Sequence, residues 1–155
     1  VPPDADLRPT ILCIGPRNRL DEAAAIMLAD LLAKCGLEAR VLPSTTMTDA
    51  ILDSVARNRV AAVCLSYVQP EALHHARRSV RSLRRQIPSG IPIVLGLWNA
   101  QPRTEGPRDI RGITGADRLV VSLTGAVREL QDIAQAAADN ATLPTASQLG
   151  TIRAG

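Results

Sequence analysis

Short apolar runs alternate along the chain with longer segments whose apolar residues recur at helical spacing. The apolar runs are TILCI, EARVL, VAAVCLS, PIVLGLW and RLVVSL, and the helical segments are 21–35, 48–58, 70–87 and 124–138. The central runs are continuously apolar, which is typical of parallel strands covered by helices on both faces. The pattern predicts an α/β fold, a doubly wound five-stranded parallel sheet with helices on both faces.

Five strands in a domain of this size favour the flavodoxin-like strand order 2-1-3-4-5. The chain has 155 residues, of which 46% are hydrophobic and 21% charged, and this composition is that of one globular domain. We place the domain at 10–138, after a proline-containing linker at 1–9 and before a small, polar tail at 139–155. The apolar runs are all shorter than the roughly 20 residues needed to span a bilayer.

The first residue is Val1 rather than methionine, so we expect the chain to be part of a longer protein. Two of the three cysteines, Cys13 and Cys64, lie in predicted strands, where cysteine behaves as a small hydrophobic residue and indicates a reduced compartment. His74 and His75 are adjacent and would point apart on a helix. The histidines and cysteines lack metal-ligand spacing, so we expect no metal site.

The loop after the first strand, GPRNRLDEA, contains one glycine and matches neither the P-loop nor the Rossmann pattern. Asp21 is predicted to cap the following helix, and Gly36 to end it in the left-handed conformation. Arg17 and Arg19 are predicted to pair locally with Asp21 and Glu22. The alternative is that the two arginines hold an anion at the helix N-terminus.

The predicted fold brings the carboxyl ends of the strands to one edge of the sheet, where ligands of such folds bind. The two aromatic residues of the chain, Tyr67 and Trp98, follow two of these strands. Ser66 lacks the flanking glycines of a nucleophile elbow, and we expect no catalytic residue. Candidate ligand contacts at this edge are Arg17, Arg19, Asp21, Ser66, Tyr67, Trp98, Asn99, Ser122 and Thr124.

The predicted helix at 70–87 has one apolar face and one arginine-rich face. Its arginines include Arg77, Arg81, Arg84 and Arg85, which form either a solvated surface or a contact with anionic lipid. Nucleic acid is not an expected partner, because aromatic residues that could stack on bases are not interleaved. The helix at 21–35 is apolar nearly all round, which predicts a second covering surface, either the last helix or another copy of the chain.

The first strand, loop and helix, together with VAAVCLSYV and PIVLGLW, resemble the cobalamin-binding domain of the mutase and methionine-synthase type. The resemblance covers about 10–138 and implies the same fold. Those domains carry DxHxxG, SxL and GG motifs, whose histidine ligates the cobalt and whose glycines leave room for the nucleotide tail. Here Arg19, Asp21 and Ala24 stand at the DxHxxG positions, and Leu97 replaces a glycine. The departures imply that cobalamin is not bound, and we expect no cofactor.

A second resemblance is to the soluble C-terminal domain of bacterial permeases of the autoinducer-exporter family. It rests on LCI, LDEAAA, MLA, LLAK, CLSY and the arginine-rich RSLRRQIP. This resemblance implies a cytoplasmic domain tethered to the inner membrane, with the membrane domain of its own parent chain as partner. We therefore expect a non-catalytic accessory or regulatory domain of a transport protein. The alternative is a sensor that binds an anionic metabolite at the carboxyl edge of the sheet.

Overall fold

A computed structural model describes residues 8–42, 53, 59–69, 72–98, 112 and 114–142. Its strands are β1 (Thr10–Ile14), β2 (Glu38–Leu42), β3 (Val60–Tyr67), β4 (Ile93–Leu97) and β5 (Arg118–Val120). Its helices are α1 (Arg19–Lys34), α2 (Leu73–Gln86) and α3 (Leu123–Thr142). The predicted helix at 48–58 lies outside the described residues except for Asp53, which is helical, and most of the predicted linker and tail also lie outside them.

The five strands form one parallel sheet in the order β2-β1-β3-β4-β5, which confirms the predicted fold class and strand order. β2 is added on one side of β1, and β3, β4 and β5 are added on the other side. β1 and β3 are therefore neighbours. Cys13 of β1 is in register with Cys64 of β3, and Ser66 of β3 is in register with Gly96 of β4. The ends of β1, β3 and β4 therefore meet at one edge, called the carboxyl edge below.

Successive residues of β3 enter two different cores, one on each face of the sheet. Val63, Leu65 and Tyr67 pack with the apolar face of α2. Ala62 and Cys64 pack on the opposite face with α1 and α3. This burial on both sides explains why the central strands are almost continuously apolar instead of alternating between apolar and polar residues.

The N-terminus of α1 corrects one prediction from the sequence. The capping residue is Asn18, whose side-chain oxygen accepts a hydrogen bond from the backbone N–H of Asp21 at 3.0 Å. Asp21 lies within the first turn and its side chain has another role. At the other end Gly36 has a φ of 83°, which confirms the predicted left-handed residue after the helix.

One part of α1 remains uncovered in the single chain. The helix packs against the sheet and against α3, as predicted for a helix that is apolar nearly all round. Ile26 and Met27 nevertheless stay 52% and 57% exposed. Association with a second copy of the chain stays a prediction.

The last strand and helix differ slightly from the predicted boundaries. β5 ends at Val120, because Ser122 begins the next element as a helix cap. The Ser122 hydroxyl accepts a hydrogen bond from the Gly125 N–H at 3.0 Å, and the Ser122 carbonyl accepts one from Ala126. α3 continues past Ala138 to Thr142.

Candidate functional site

Asp21 is the buried carboxylate of the carboxyl edge. Its side chain projects from the first turn of α1, and its Oδ1 accepts a hydrogen bond from the backbone N–H of Val68, just after β3, at 2.9 Å. Only 1% of the residue is exposed. Gly15 permits this arrangement, because a Cβ at that position would overlap the backbone of Asp21 and Glu22. The α1 N-terminus is therefore seated directly on the end of β1.

Three buried polar atoms at this edge have no hydrogen-bond partner among the described residues. They are the second carboxylate oxygen of Asp21, the Ser66 hydroxyl oxygen and the Trp98 indole nitrogen. Ser66 follows Cys64 by two positions on β3 and therefore points to the α1 and α3 face, where Trp98 also packs. Buried polar groups are normally paired, so the unpartnered atoms at the carboxyl edge mark a candidate polar site.

Trp98 covers the end of β4. A Cβ at Gly96 would overlap the six-membered part of the Trp98 indole ring, so the glycine leaves space that this ring fills. The Trp98 backbone N–H also donates a hydrogen bond to the Tyr67 carbonyl at 3.0 Å. Because Gly96 is in register with Ser66, the indole lies over the junction of β3 and β4.

A second polar cluster lies on the α2 face. The Tyr67 hydroxyl lies 3.0 Å from His75 Nδ1 and donates to the Ser79 hydroxyl oxygen at 3.1 Å. Ser79 Oγ and His75 Nδ1 are 3.3 Å apart. Burial raises the pKa of Tyr67 above its ordinary value, although the hydrogen bond to Ser79 acts in the opposite direction. The phenol is therefore protonated at neutral pH.

The pKa of His75 is lowered from its ordinary value, first by burial and then by the positive charges of Arg78 and Arg17. The negative charge of Asp21 acts in the opposite direction. A neutral imidazole can accept the hydrogen bond that its protonated form cannot. Ser79 is itself buried, which places the hydroxyl of this Ser–His pair out of reach of a substrate in solution.

Arg17 is fixed in a way that the sequence did not predict. Its Nη2 donates to the side-chain oxygen of Gln69 at 2.8 Å, linking the loop after β1 to the loop after β3. In the described part of the chain no ion pair joins Arg17 or Arg19 to Asp21 or Glu22, so the predicted local pairing is wrong. The physical reason is that the Asp21 side chain turns inward, away from the exposed guanidinium groups.

The other predicted contacts divide into two groups. Arg17, Asp21, Ser66, Tyr67 and Trp98 lie at the carboxyl edge, although Tyr67 faces α2 whereas Ser66 and Trp98 face α1 and α3. Arg19 and Thr124 are exposed in the first turns of their helices, and Ser122 caps α3. Asn99 lies outside the described residues.

Sequence reasoning missed the participation of Gln69, His75 and Ser79. His75 and Ser79 are four residues apart and thus share one face of α2, which is a signal that could have paired them. Nothing in the sequence pattern indicated that Tyr67 would join them. Within the described residues, histidine, cysteine and carboxylate side chains form no group of three that could hold a metal ion.

The sequence matches no protein-family profile and no curated protein. Among solved structures the chain is similar to a novel cobalamin-binding protein from Desulfitobacterium hafniense DCB-2, with a TM-score of 0.62 and 19% identity over 81% of this chain. This chain spans 59% of the length of that protein. A 3-dehydroquinate dehydratase-like protein from Bifidobacterium longum has a TM-score of 0.41 and 17% identity, over 82% of this chain and 96% of that one. The first similarity supports a cobalamin-binding-like, flavodoxin-like fold.

The residues at the carboxyl edge do not fit cobalamin. Asp21 stands where the cobalt-ligating histidine is expected, and it is buried with one oxygen committed to the Val68 N–H. The space beside Gly96, which the resemblance assigns to the nucleotide tail, is filled by the Trp98 indole. The carboxyl edge therefore lacks both features that the resemblance requires for the cofactor.

Proposed function

We propose that this chain is a non-catalytic accessory or regulatory domain that has the cobalamin-binding-like fold without binding cobalamin. The observation that carries the proposal is the position of the Trp98 indole over Gly96. A nucleotide tail could enter only if this ring moved away and lost its packing against the α1 and α3 core. Aromatic side chains bury large areas, so this displacement is costly.

Corrinoid titration tests this part of the proposal. The visible absorption spectrum of cobalamin should stay unchanged when the purified protein is added, because the chain has the buried Asp21 carboxylate where the resemblance expects a cobalt-ligating histidine. A corrinoid-binding domain with an intact DxHxxG motif is the positive control. Binding at micromolar concentration would contradict the proposal.

The proposed setting is the cytoplasmic side of a permease-like membrane transport protein. Its support is the resemblance of the LDEAAA, CLSY and arginine-rich segments to the soluble domain of autoinducer-exporter permeases. Among the described helices, none combines the length and the apolarity that a bilayer crossing requires. On this proposal the partner is the membrane domain of the parent chain, which tethers the accessory domain to the inner membrane.

Deletion of residues 10–138 from the intact parent protein tests this setting. If the domain is regulatory, the deleted transporter should still insert into the membrane but should show an altered transport rate or altered assembly. A parent reading frame without membrane spans, or unchanged transport and assembly, would contradict the proposal. The Gly96→Ala variant of the intact protein is a milder comparison, since it disturbs the carboxyl edge without removing the domain.

A second candidate function is that of a sensor for an anionic metabolite, and a specific observation favours it. The unpartnered Ser66 hydroxyl and Trp98 N–H can both donate hydrogen bonds at the carboxyl edge. Arg17 is held at the same edge by Gln69 and adds positive charge. A small carboxylated or phosphorylated metabolite that also carries a hydrogen-bond donor has the matching chemistry, because the unpartnered Asp21 carboxylate oxygen at the same edge accepts hydrogen bonds.

Thermal unfolding with a panel of phosphorylated and carboxylated metabolites distinguishes the two candidates. A sensor should be stabilised by one of them, and Arg17→Ala and Ser66→Ala should each remove the stabilisation. Arg19→Ala should weaken it too if both arginines hold the anion, and Lys34→Ala serves as the control, because Lys34 is an exposed cation at the other end of α1. If the whole panel leaves the melting temperature unchanged, the accessory-domain proposal is favoured.

A further inference from the structure

The outer face of α2 carries a row of arginines beside a groove. Arg77, Arg81, Arg84 and Arg85 follow one another at spacings of four, three and one residues, so they lie along one side of the helix. The groove has a volume of about 400 Å³, and its opposite wall is formed by Gly112, Thr114 and Gly115 before β5. We call this feature the arginine groove.

One arginine of the groove is anchored. Arg84 Nη2 lies 2.6 Å from Asp117 Oδ2 and 3.3 Å from the Gly115 carbonyl oxygen. The same Asp117 oxygen accepts a hydrogen bond from the Ile93 N–H at 2.7 Å, at the start of β4. Asp117 is therefore held by Arg84 and by the backbone through Oδ2, and it makes no ion pair with Arg77, Arg81 or Arg85.

The other three arginines have no ion-pair partner among the described residues. Arg77, Arg81 and Arg85 are exposed, and among the described residues no carboxylate lines the groove. Like charges one turn apart on a helix repel one another. The groove therefore concentrates positive charge that an anion would relieve.

Guanidinium groups favour phosphate because their N–H groups can make two parallel hydrogen bonds to one phosphate. From Arg77 to Arg85 the helix rises about 12 Å, which is longer than a single phosphate group. We propose that the arginine groove binds a ligand that carries two or more phosphate groups. The anchored Arg84 gives the site one fixed guanidinium, and Arg77, Arg81 and Arg85 close on the ligand from exposed positions.

Two sources offer this chemistry, a soluble polyphosphate compound and the headgroups of anionic lipid. The anchored end of the groove is at the amino edge of the sheet, because Asp117 is bonded to the first residue of β4. The site is thus separate from Asp21, Ser66 and Trp98 at the carboxyl edge. Its existence does not depend on the function proposed above.

Calorimetric titration with inorganic tripolyphosphate at low salt tests the site. The unmodified protein should bind, and the affinity should fall about tenfold or more in the Arg77→Gln/Arg81→Gln double variant, which loses two charge-assisted contacts. Arg128→Gln, which removes an exposed arginine of α3, should bind as the unmodified protein does. Binding should weaken as salt is added. Arg84 is not substituted in these variants, because it forms the ion pair with Asp117.

Three results would overturn the proposal: no binding of tripolyphosphate, equal binding by the double variant, or equally tight binding of citrate. Circular dichroism of each variant checks that it is folded, and the single Arg81→Gln variant repeats the test with a smaller change. Sedimentation with phosphatidylglycerol and phosphatidylcholine vesicles then separates the sources. Sedimentation with the anionic vesicles alone, competed by tripolyphosphate, assigns the lipid source, whereas tripolyphosphate binding without sedimentation assigns the soluble one.

Discussion

The Asp21 carboxylate, at the start of α1, accepts a hydrogen bond from the backbone N–H of Val68, 47 residues further along the chain. The contact joins the first turn of α1 to the loop that follows β3. Asp21→Ala would leave the Val68 N–H without this partner, and a buried unpaired group costs about 1–3 kcal/mol. Chemical denaturation should therefore show a loss of this size in the free energy of unfolding.

The Asp21→Asn variant separates hydrogen bonding from charge. The asparagine oxygen can still accept from Val68, so most of the stability should return. Asn18→Ala provides a comparison, because it removes the true helix cap and should cost about 1 kcal/mol. If Asp21→Ala leaves the free energy of unfolding unchanged, the contact to Val68 contributes nothing to stability.

Gly96 and Trp98 should be energetically coupled. Gly96→Ala would place a methyl group against the Trp98 ring, and overpacking of this kind costs about 1–3 kcal/mol. Trp98→Leu removes the ring, so the cost of Gly96→Ala should largely disappear in that background. A double-mutant cycle by chemical denaturation measures the coupling. Additive effects of the two substitutions would show that the ring does not rest on Gly96.

His75 should make stability depend on pH. Burial, Arg78 and Arg17 lower its pKa in the folded state, while Asp21 opposes them. The folded protein thus binds the proton less readily than the unfolded chain. The contribution is fully present above the ordinary histidine pKa of about 6.5, and it is lost as pH falls below that value.

Denaturation curves at about pH 7.5 and about pH 5.5 check this expectation. The unmodified protein should lose more stability between the two conditions than the His75→Gln variant does. His74→Gln is the matched control, since His74 is the exposed neighbour on the same helix. If His75→Gln and the unmodified protein have the same pH dependence, protonation of His75 is not coupled to folding.

The three cysteines should differ sharply in reactivity. Burial raises the pKa of Cys13 to about 12, and it raises that of Cys64 as well, whereas Cys35 is exposed at the end of α1. The thiolate is the reactive form, so a thiol reagent should modify only Cys35 in the folded protein. Mass spectrometry should find one modified thiol in buffer and three in denaturant. Cys35→Ser should abolish the modification in buffer, and rapid labelling of Cys13 or Cys64 would contradict their burial.

The sheet could be predicted from the sequence because each central strand is apolar on both faces and the segments between the strands have the length and spacing of helices. The same reasoning failed for Asp21. An acidic residue at the start of a helix suggests a cap, but Asn18 lies three residues earlier and takes that position. The actual partner of Asp21 is distant in sequence, and only the junction of β1 and β3 brings the two together.

The side-chain contacts at the carboxyl edge were harder to predict than the position of this edge in the fold. The prediction that both aromatic residues lie at strand ends is confirmed, but their side chains pack on different faces of the sheet. Tyr67 continues the α2-facing series of β3 and meets His75 and Ser79. Trp98 folds back over Gly96. This contact depends on the orientation of the ring, which the pattern of apolar residues does not predict.

The two outer strands of the sheet affect how separate molecules behave towards one another. β2 presents exposed Glu38 and Arg40 along one border, and β5 is three residues long, with its exposed Arg118 paired to Glu129 at 2.8 Å. Charged side chains and short length both discourage strand addition from another chain. Fibril-like stacking is thereby disfavoured, and the protein should tolerate high local concentration without forming intermolecular sheets.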